Sequence, residues 1–159
     1  MNEAFVLLGS NMGNSRMLLL QATKMIEQKA GEIKKTGSLY KTKAWGNIHQ
    51  QDFYNQLIIL HTHLSAPDLL KILLSIENKM GRERIEKNEP RLIDLDILFF
   101  DNDIINSPEL IVPHPLMEKR RFVLTALNEI TPGFIHPVLH KPVSQLLLEC
   151  PDPLTIKKI

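Results

Sequence analysis

The feature that most constrains this chain is an apolar segment that carries two acids. Residues 93–100 are branched, aliphatic or aromatic except for Asp94 and Asp96, and turn-forming residues bound the segment on both sides. Because side chains alternate faces along a strand, Asp94 and Asp96 point one way while Leu95 and Ile97 point into a core. The segment therefore predicts a strand with one apolar face and two carboxylates on the other.

The paired carboxylates indicate a cation. Two neighbouring carboxylates repel each other and are costly in apolar surroundings unless something positive lies between them. Oxygen ligands suit magnesium, and guanidinium groups beside a carboxylate–metal pair suit a polyphosphate. Arg82, Arg84 and Arg91 precede the strand. A solvated strand end beside a charged loop is the alternative, and the three arginines favour phosphate chemistry over it.

Composition limits the kinds of partner. A chain of 159 residues is large enough for one domain, predicted over residues 1–159, and its formal charge of +1 argues against a general nucleic-acid or membrane surface. No signal peptide and no apolar run of about 18 residues is visible. Cys150 is the one cysteine, which fits a reducing compartment. The sequence thus predicts a cytoplasmic protein that binds neither nucleic acid nor membrane.

The periodicity of the remaining segments predicts an α+β domain. The element order is β-α-β-β-α-β, the ferredoxin-like split unit, with an antiparallel sheet, helices on one face and a C-terminal extension. Short extended pieces are predicted at 104–105 and 110–112. The predicted strands are 4–8, 33–43, 53–61 and the segment between Pro90 and Asp101. The predicted helices lie between Ser15 and Gly31, between Ser65 and Gly81, at 121–130 and at 143–149.

The turn Gly9-Ser10-Asn11 follows the first strand and precedes a helix that Asn14 or Ser15 can cap. Such a turn can hold phosphate at the helix N-terminus. A plain strand-to-helix turn is the stronger interpretation, because the remaining glycines of a phosphate loop are absent.

The segment Pro90 to Leu98 resembles the signature of the 6-hydroxymethyl-7,8-dihydropterin pyrophosphokinase family of folate biosynthesis. Further segments resemble the family in the same order and at similar spacing, so the resemblance covers nearly the whole chain. They are Gly9-Ser10-Asn11, Ser38 to Thr42, Phe53-Tyr54-Asn55, Glu77 to Arg84, Val112-Pro113-His114 and Arg120 to Leu124.

The resemblance implies a role for each matching position. Asp94 and Asp96 would hold two magnesium ions that bridge the ATP phosphates, and Arg82 and Arg91 would stabilise the transferring group. The residues implied to contact ATP are Glu77, Arg84, Ile97, Ile111, His114 and Arg120. The residues implied to contact the pterin are Thr42, Lys43, Trp45, Phe53, Asn55 and Phe122, with Phe53 and Phe122 stacking on its ring.

The residues themselves support some of these roles and leave others open. Asn55 is disfavoured in a strand by propensity, which favours a polar task there. Phe122 fits a core position as well as a pterin contact, and Arg120 fits a solvated helix end. The residues that depart from the family pattern are the pair Asn88-Glu89, Glu109 and Pro115.

The predicted reaction is ATP-dependent pyrophosphoryl transfer to the pterin hydroxymethyl group with release of AMP, by a monomer. The polar loops 43–53 and 82–91 are predicted to order over bound substrates. A nucleotidyltransferase also pairs Gly-Ser with Asp-x-Asp, but usually at short range, whereas Ser10 and Asp94 are 84 positions apart here. A regulatory small-molecule-binding module on the same scaffold is the second alternative.

Overall fold

The computed structural model describes residues 1–43, 51–81 and 92–159. Its strands are β1 (Asn2–Ser10), β2 (Glu32–Thr36), β3 (Tyr40–Thr42), β4 (Phe53–Thr62), β5 (Asp94–Phe100), β6 (Ile105–Asn106), β7 (Ile111–Val112) and β8 (Ile156–Lys158). Its α-helices are α1 (Ser15–Lys29), α2 (Ala66–Lys79), α3 (Arg121–Ile130) and α4 (Val143–Glu149), and a short 3-10 helix covers Met117–Lys119.

One antiparallel sheet organises the molecule. Its strand order is β5-β1-β4-β3-β8, and β2 pairs with the same strand, β4, as β3 does. The strands β6 and β7 form a separate two-stranded ribbon. The α+β class and the antiparallel sheet predicted from the sequence are confirmed.

The first two helices begin at the caps that the sequence indicates. The Asn14 side chain accepts a hydrogen bond from the Met17 amide at 3.2 Å, and the Ser65 hydroxyl accepts one from the Asp68 amide at 3.2 Å. Both helices end two residues before a glycine with positive φ, a conformation that glycine adopts at no steric cost.

The helices α1 and α2 cover one face of the sheet. Alternate residues of β1, β4 and β5 meet the inner faces of these helices in a core of buried aliphatic side chains. The members of this core include Val6, Leu8, Leu19, Ile26, Ile58, Leu60, Leu69, Leu73, Ile76, Leu95 and Ile97.

The helix α3, which belongs to the predicted C-terminal extension, covers the opposite face. The prediction that the helices lie on one face therefore holds for α1 and α2 and fails for α3. Phe5, Leu7, Leu57, Ile59 and Phe99 point away from α1 and α2 and form a second core with Val123, Ala126, Leu127 and Val143. The apolar stripe of α3 is readable from the sequence, but the stripe alone does not tell which face of the sheet it covers.

The segment predicted as one strand over 33–43 is two strands. The backbone leaves the sheet between β2 and β3, where the Gly37 amide donates to the Leu57 carbonyl at 2.8 Å and the Gln56 side chain donates to the Gly37 carbonyl at 2.9 Å. Both β2 and β3 pair with β4, so the chain continues along the same neighbouring strand after the interruption.

No helix among the described residues is long and apolar enough to cross a membrane.

Candidate active site

A row of paired residues crosses the sheet at one end. Gly9 of β1 lies between Asp94 of β5 and Asn55 of β4, and Asn55 in turn pairs with Tyr40 of β3. Paired residues of an antiparallel sheet share a face. The next pair along that face of β1 and β4, Leu7 with Leu57, belongs to the core beneath α3. The row therefore lies on the α3 side of the sheet.

Gly9 makes room for the Asn55 side chain. A Cβ atom at Gly9 would lie 2.8 Å from Asn55 Oδ1 and 3.9 Å from Asp94 Cβ. The Asn55 side chain therefore lies over the backbone of Gly9 and near the Cβ of Asp94. Asn55 is 5% exposed. This close approach explains why β1 carries a glycine two positions from the start of the following loop.

The predicted pterin contacts Thr42, Phe53 and Asn55 are neighbours on this face. Thr42 pairs with Phe53 at the open end of β3 and β4, one step beyond the pair Tyr40–Asn55. Thr42 is buried, Phe53 is half-buried and Lys43 is exposed. Phe122 is half-buried and packs against the α3-side core, so an aromatic side chain of α3 stands above the same face.

The carboxylates Asp94 and Asp96 lie on the same face of β5, as the alternation predicts, and both are half-buried. Asp96 pairs with Leu7, one step inward from Gly9 and Asp94. Their hard oxygen donors, side by side at a polar sheet end, fit magnesium. Among the described residues no group of three or more His, Cys, Asp or Glu could hold a metal ion, so phosphate oxygens or water would have to supply further ligands.

Glu77 lies beneath the acids rather than beside them. It is 3% exposed, and its Oε2 accepts a hydrogen bond from the Leu95 amide at 2.8 Å. Because Leu95 separates Asp94 from Asp96, this bond fixes the backbone on which both carboxylates stand. Ile97 is also buried, in the core under α1 and α2, on the face opposite the acids. The contacts of Glu77 and Ile97 with ATP remain predictions.

The remaining described candidates lie along the outer edge of β5 and at the start of α3. The His114 amide donates to the Leu98 carbonyl at 2.9 Å, which holds His114 beside β5. The His114 ring nitrogen Nδ1 lies 2.9 Å from the Pro115 carbonyl, which orients this half-buried ring. Ile111 and Arg120 are exposed.

Four predicted site residues, Trp45, Arg82, Arg84 and Arg91, lie outside the described residues, as do most of the loops 43–53 and 82–91. The Gly9-Ser10-Asn11 segment is described, and there the Ser10 hydroxyl bonds the Ser15 hydroxyl at 2.9 Å in a buried position. That bond favours the plain strand-to-helix turn over a phosphate loop.

Sequence reasoning missed the steric role of Gly9 in this site. The glycine was visible at the end of an apolar run, but its opposition to Asn55 depends on the register of β1 with β4. It also missed that Glu77 is an internal support for β5. A lone acid in the last turn of an apolar helix face was the available signal.

Comparison with known proteins decides the family. Residues 5–132 match the model of the 7,8-dihydro-6-hydroxymethylpterin-pyrophosphokinase family. The chain belongs to this family. A 2-amino-4-hydroxy-6-hydroxymethyldihydropteridine pyrophosphokinase of Aquifex aeolicus is 37% identical over 91% of this chain and 90% of its own length. The predicted family and enzyme class, a pyrophosphokinase of folate biosynthesis, are thereby confirmed.

Other relatives of the pyrophosphokinase family are longer. The folic acid synthesis protein FOL1 of Dictyostelium discoideum is 38% identical over 95% of this chain, which spans 23% of that protein. A Plasmodium falciparum HPPK-DHPS structure with pteroate superposes with a TM-score of 0.76 at 18% identity, over 93% of this chain and 42% of that one. At that identity the likeness concerns the fold alone.

Proposed function

We propose that the open end of the sheet holds 6-hydroxymethyl-7,8-dihydropterin over β3 and β4 and the ATP phosphates over β5. The hydroxymethyl oxygen would attack the β-phosphorus in line. A new O–P bond forms there, the bond from the β-phosphorus to the α,β-bridging oxygen breaks, the hydroxyl proton is lost, and AMP leaves. The single observation that carries this arrangement is the row Asp94–Gly9–Asn55–Tyr40. It sets the Asn55 amide and the Asp94 carboxylate on one face, with Asp96 one step inward on the same face.

The β3–β4 side suits a flat, polar-edged ring. The Asn55 amide can both donate and accept hydrogen bonds to the edge of a pterin. Phe53 and Phe122, each half-buried, offer aromatic faces for stacking, as ligand sites with a few directed polar groups do. Thr42, Lys43 and Trp45 complete the proposed pterin contacts, Trp45 by family resemblance.

The β5 side suits phosphates held with magnesium. Asp94 and Asp96 would hold two ions, and such ions neutralise charge on the transferring group. The protein's own contribution is to position the carboxylates: Glu77 bonds the Leu95 amide between them. Asp94 would also accept a hydrogen bond from the substrate hydroxyl, since it lies in the same row of the sheet as Asn55.

The proposed nucleotide contacts lie around β5 and at the start of α3. Exposed Ile111 and half-buried His114 lie at the outer edge of β5, exposed Arg120 directly precedes α3, and Ile97 and Glu77 support β5 from below. Arg82, Arg84 and Arg91 are proposed from the family resemblance, with Arg82 and Arg91 on the transferring group. Phosphoryl transfers of this kind depend on positioning and charge neutralisation more than on covalent chemistry.

A product assay tests the proposed reaction. The protein is incubated with ATP, magnesium and the hydroxymethyl dihydropterin, and the nucleotides are separated. AMP is expected, and only when the pterin is present. ADP as the sole product would indicate an ordinary kinase, a pyrophosphate product would indicate a nucleotidyltransferase, and binding without turnover would indicate a regulatory module.

We further propose the finer architecture and setting. The order β5-β1-β4 followed by β3 corresponds to the fourth, first, third and second strands of a ferredoxin-like unit, which supports that topology. Residues 1–159 would form one domain, act as a monomer in the cytoplasm and bind neither nucleic acid nor membrane, consistent with the formal charge of +1. Sedimentation velocity tests the monomer, and a dimer mass would contradict it.

A further inference from the structure

The C-terminal segment 150–159, termed here the strap, joins two elements that carry proposed pterin contacts. It leaves the end of α4, passes the first turn of α3 and ends as β8 beside β3. The family model matches residues 5–132, so the strap lies beyond the matched part of the chain. Several hydrogen bonds hold the strap to the rest of the chain at each of its ends.

At the α3 end, Arg121 holds the strap backbone. Its Nε donates to the Asp152 carbonyl at 2.8 Å and its Nη2 donates to the Cys150 carbonyl at 2.9 Å. In return the Asp152 carboxylate accepts the Arg121 amide at 3.1 Å. That carboxylate lies where α3 has no side-chain cap of its own, a position at which negative charge stabilises a helix.

At the β3 end, the strap continues the sheet. Ile156 pairs with Thr42 and Lys158 pairs with Tyr40, and the Ile159 amide donates to the Leu39 carbonyl at 2.9 Å. Lys158 also lies 2.9 Å from Glu129 of α3, whose carboxylate accepts hydrogen bonds from the Ser38 amide and hydroxyl. Burial alone would raise the pKa of Glu129, but the Ser38 bonds and Lys158 lower it to about 2. The carboxylate therefore stays charged and links α3, β8 and the start of β3.

Between these ends the strap lines a cavity next to a proposed pterin contact. The cavity has a volume of about 400 Å³. Its lining residues are Lys43, Asp152, Pro153, Leu154 and Thr155. One wall is thus the residue that follows β3, and the other is the strap itself.

We propose that the strap sets the affinity for the pterin, with Arg121 as its positioning residue, by holding the Phe122 end of α3 at a fixed distance from Thr42 and Lys43. The inference rests on the proposed function, because it assigns the strap to the same pterin site. Phe122 follows Arg121 directly in α3, and Thr42 pairs directly with Ile156, so release of either end of the strap moves a pterin contact. Of the described residues proposed to contact ATP, only Arg120 adjoins Arg121; Glu77, Ile97, Ile111 and His114 lie on β5 or in elements that contact it, and they make none of these bonds.

Kinetics with both substrates test the role of Arg121. Arg121→Met removes both side-chain bonds to the strap and is expected to raise the KM for the pterin about tenfold, since small displacements of positioning groups have large effects. The KM for ATP is expected to stay within about twofold. Arg121→Lys keeps a donor and is expected to restore part of the pterin affinity. The matched control is Lys141→Met, which removes the exposed Lys141–Glu149 ion pair of 2.9 Å and should change neither KM.

A second variant tests the other end of the strap. Deletion of residues 157–159 removes exposed residues, the Lys158–Glu129 pair and the Ile159 amide bond, and should also raise the pterin KM selectively. This variant decides the question if Arg121→Met does not fold. Unchanged pterin KM in the folded variants would overturn the proposal. A parallel rise of both KM values with a lowered melting temperature would also overturn it, because it would show a structural role only. Absence of AMP formation by the unaltered chain would instead contradict the proposed function.

Discussion

At the scale of single residues, Gly9 leaves the space that the Asn55 side chain occupies in the site. Gly9→Ala places a Cβ 2.8 Å from Asn55 Oδ1, which is closer than real Cβ contacts, so the Asn55 amide must move. We expect the pterin Kd to rise about tenfold, corresponding to about 1.4 kcal/mol, with a smaller change in the Kd for ATP. Isothermal titration calorimetry with each ligand measures both.

Gly133→Ala is the matched control for that substitution. A Cβ at Gly133 would have no atom within 4 Å, and this glycine has no positive φ, so ligand binding should not change. Equal pterin affinity in Gly9→Ala and Gly133→Ala would show that Asn55 does not contact the pterin.

The two carboxylates of β5 give a second prediction at this scale. Asp94→Asn and Asp96→Asn should each abolish AMP formation, because an amide binds magnesium poorly in place of a carboxylate. Stability should change by about 1 kcal/mol or less, since removal of one of two repelling charges offsets lost contacts. Turnover and melting temperature are measured together, with exposed Asp103→Asn as the control. Magnesium-dependent activity near that of the unaltered chain would refute the ligand assignment.

Asn55, Asp94 and Asp96 could be predicted from the sequence as candidate site residues, because an amide or a carboxylate is unusual among the apolar residues of a strand. Glu77 could be located but not interpreted. Whether its carboxylate reaches ligand or the Leu95 amide depends on the approach of α2 to β5, which no local pattern encodes.

At the scale of elements, α3 serves both the core and the proposed site. Phe122 is half-buried, which leaves part of its ring for a ligand, whereas Phe134 contacts Phe5 and Phe99 at ring-centroid distances of 4.9 and 4.5 Å. Phe122→Ala should weaken pterin binding by about 1–3 kcal/mol through lost stacking and burial. ATP binding should change less.

Phe134→Ala is the control for that substitution, because it removes a core aromatic with no proposed ligand. It should lower the melting temperature without a selective effect on the pterin. If Phe122→Ala also lowers the melting temperature without a selective effect on pterin binding, Phe122 is a core residue. That is the alternative that the sequence leaves open for this position.

The turn after α3 predicts a dependence of stability on pH. His136 is 4% exposed, and its Nδ1 accepts the amides of Val138 and Leu139 at 3.1 Å. Burial lowers the pKa of His136 from 6.5, an effect that Glu118 opposes and His140 reinforces. Below pH 6.5 the unfolded chain therefore binds more protons at this histidine than the folded chain does. The contribution of neutral His136 to the free energy of unfolding is complete above pH 6.5 and is lost as the pH falls below it.

Melting temperatures measured at intervals of pH from above 7 down to about 5 should show this loss. His136→Asn retains an acceptor oxygen that does not titrate, so its melting temperature should fall less over the same range. The exposed His63→Gln is the control and should follow the unaltered chain. Identical slopes for all three proteins would exclude His136 as the titrating group.

The elements with long periodic patterns could be predicted, and those fixed by distant partners could not. The strands β4 and β5 and the helices α3 and α4 follow apolar periodicity over seven or more residues. The interruption at Gly37 and the three-residue β8, which holds two lysines, arise from bonds to Leu57 and to β3. Both features depend on residues far away along the chain, so the sequence near Gly37 or near β8 does not predict them.

At the scale of the whole molecule, the two cores share one sheet. β1 directs Val6 to the core under α1 and α2, and it directs Leu7 to the core under α3. Neither core can be lost without disrupting the strands of the other. We therefore expect one cooperative unfolding transition, with the same midpoint by far-UV and near-UV circular dichroism.

Paired substitutions sharpen this prediction. Leu73→Ala in α2 and Leu127→Ala in α3 remove fully buried side chains from different cores, and each should cost about 2–5 kcal/mol. Each should shift the whole transition in urea rather than part of it. A biphasic curve for either variant would show that the two halves unfold separately and would contradict a single domain over 1–159.

The pairing of β8 with β3 has a consequence for how the chain folds. Residues 40 and 158 become neighbours although 118 positions separate them along the chain. Contacts of such long sequence separation form slowly, because a large loop must close before they stabilise anything. During synthesis the outer edge of β3 therefore has its backbone groups unpaired until residues 156–158 leave the ribosome. For that interval the nascent chain exposes a strand edge to its neighbours, and chaperones that cover such edges would act on it there.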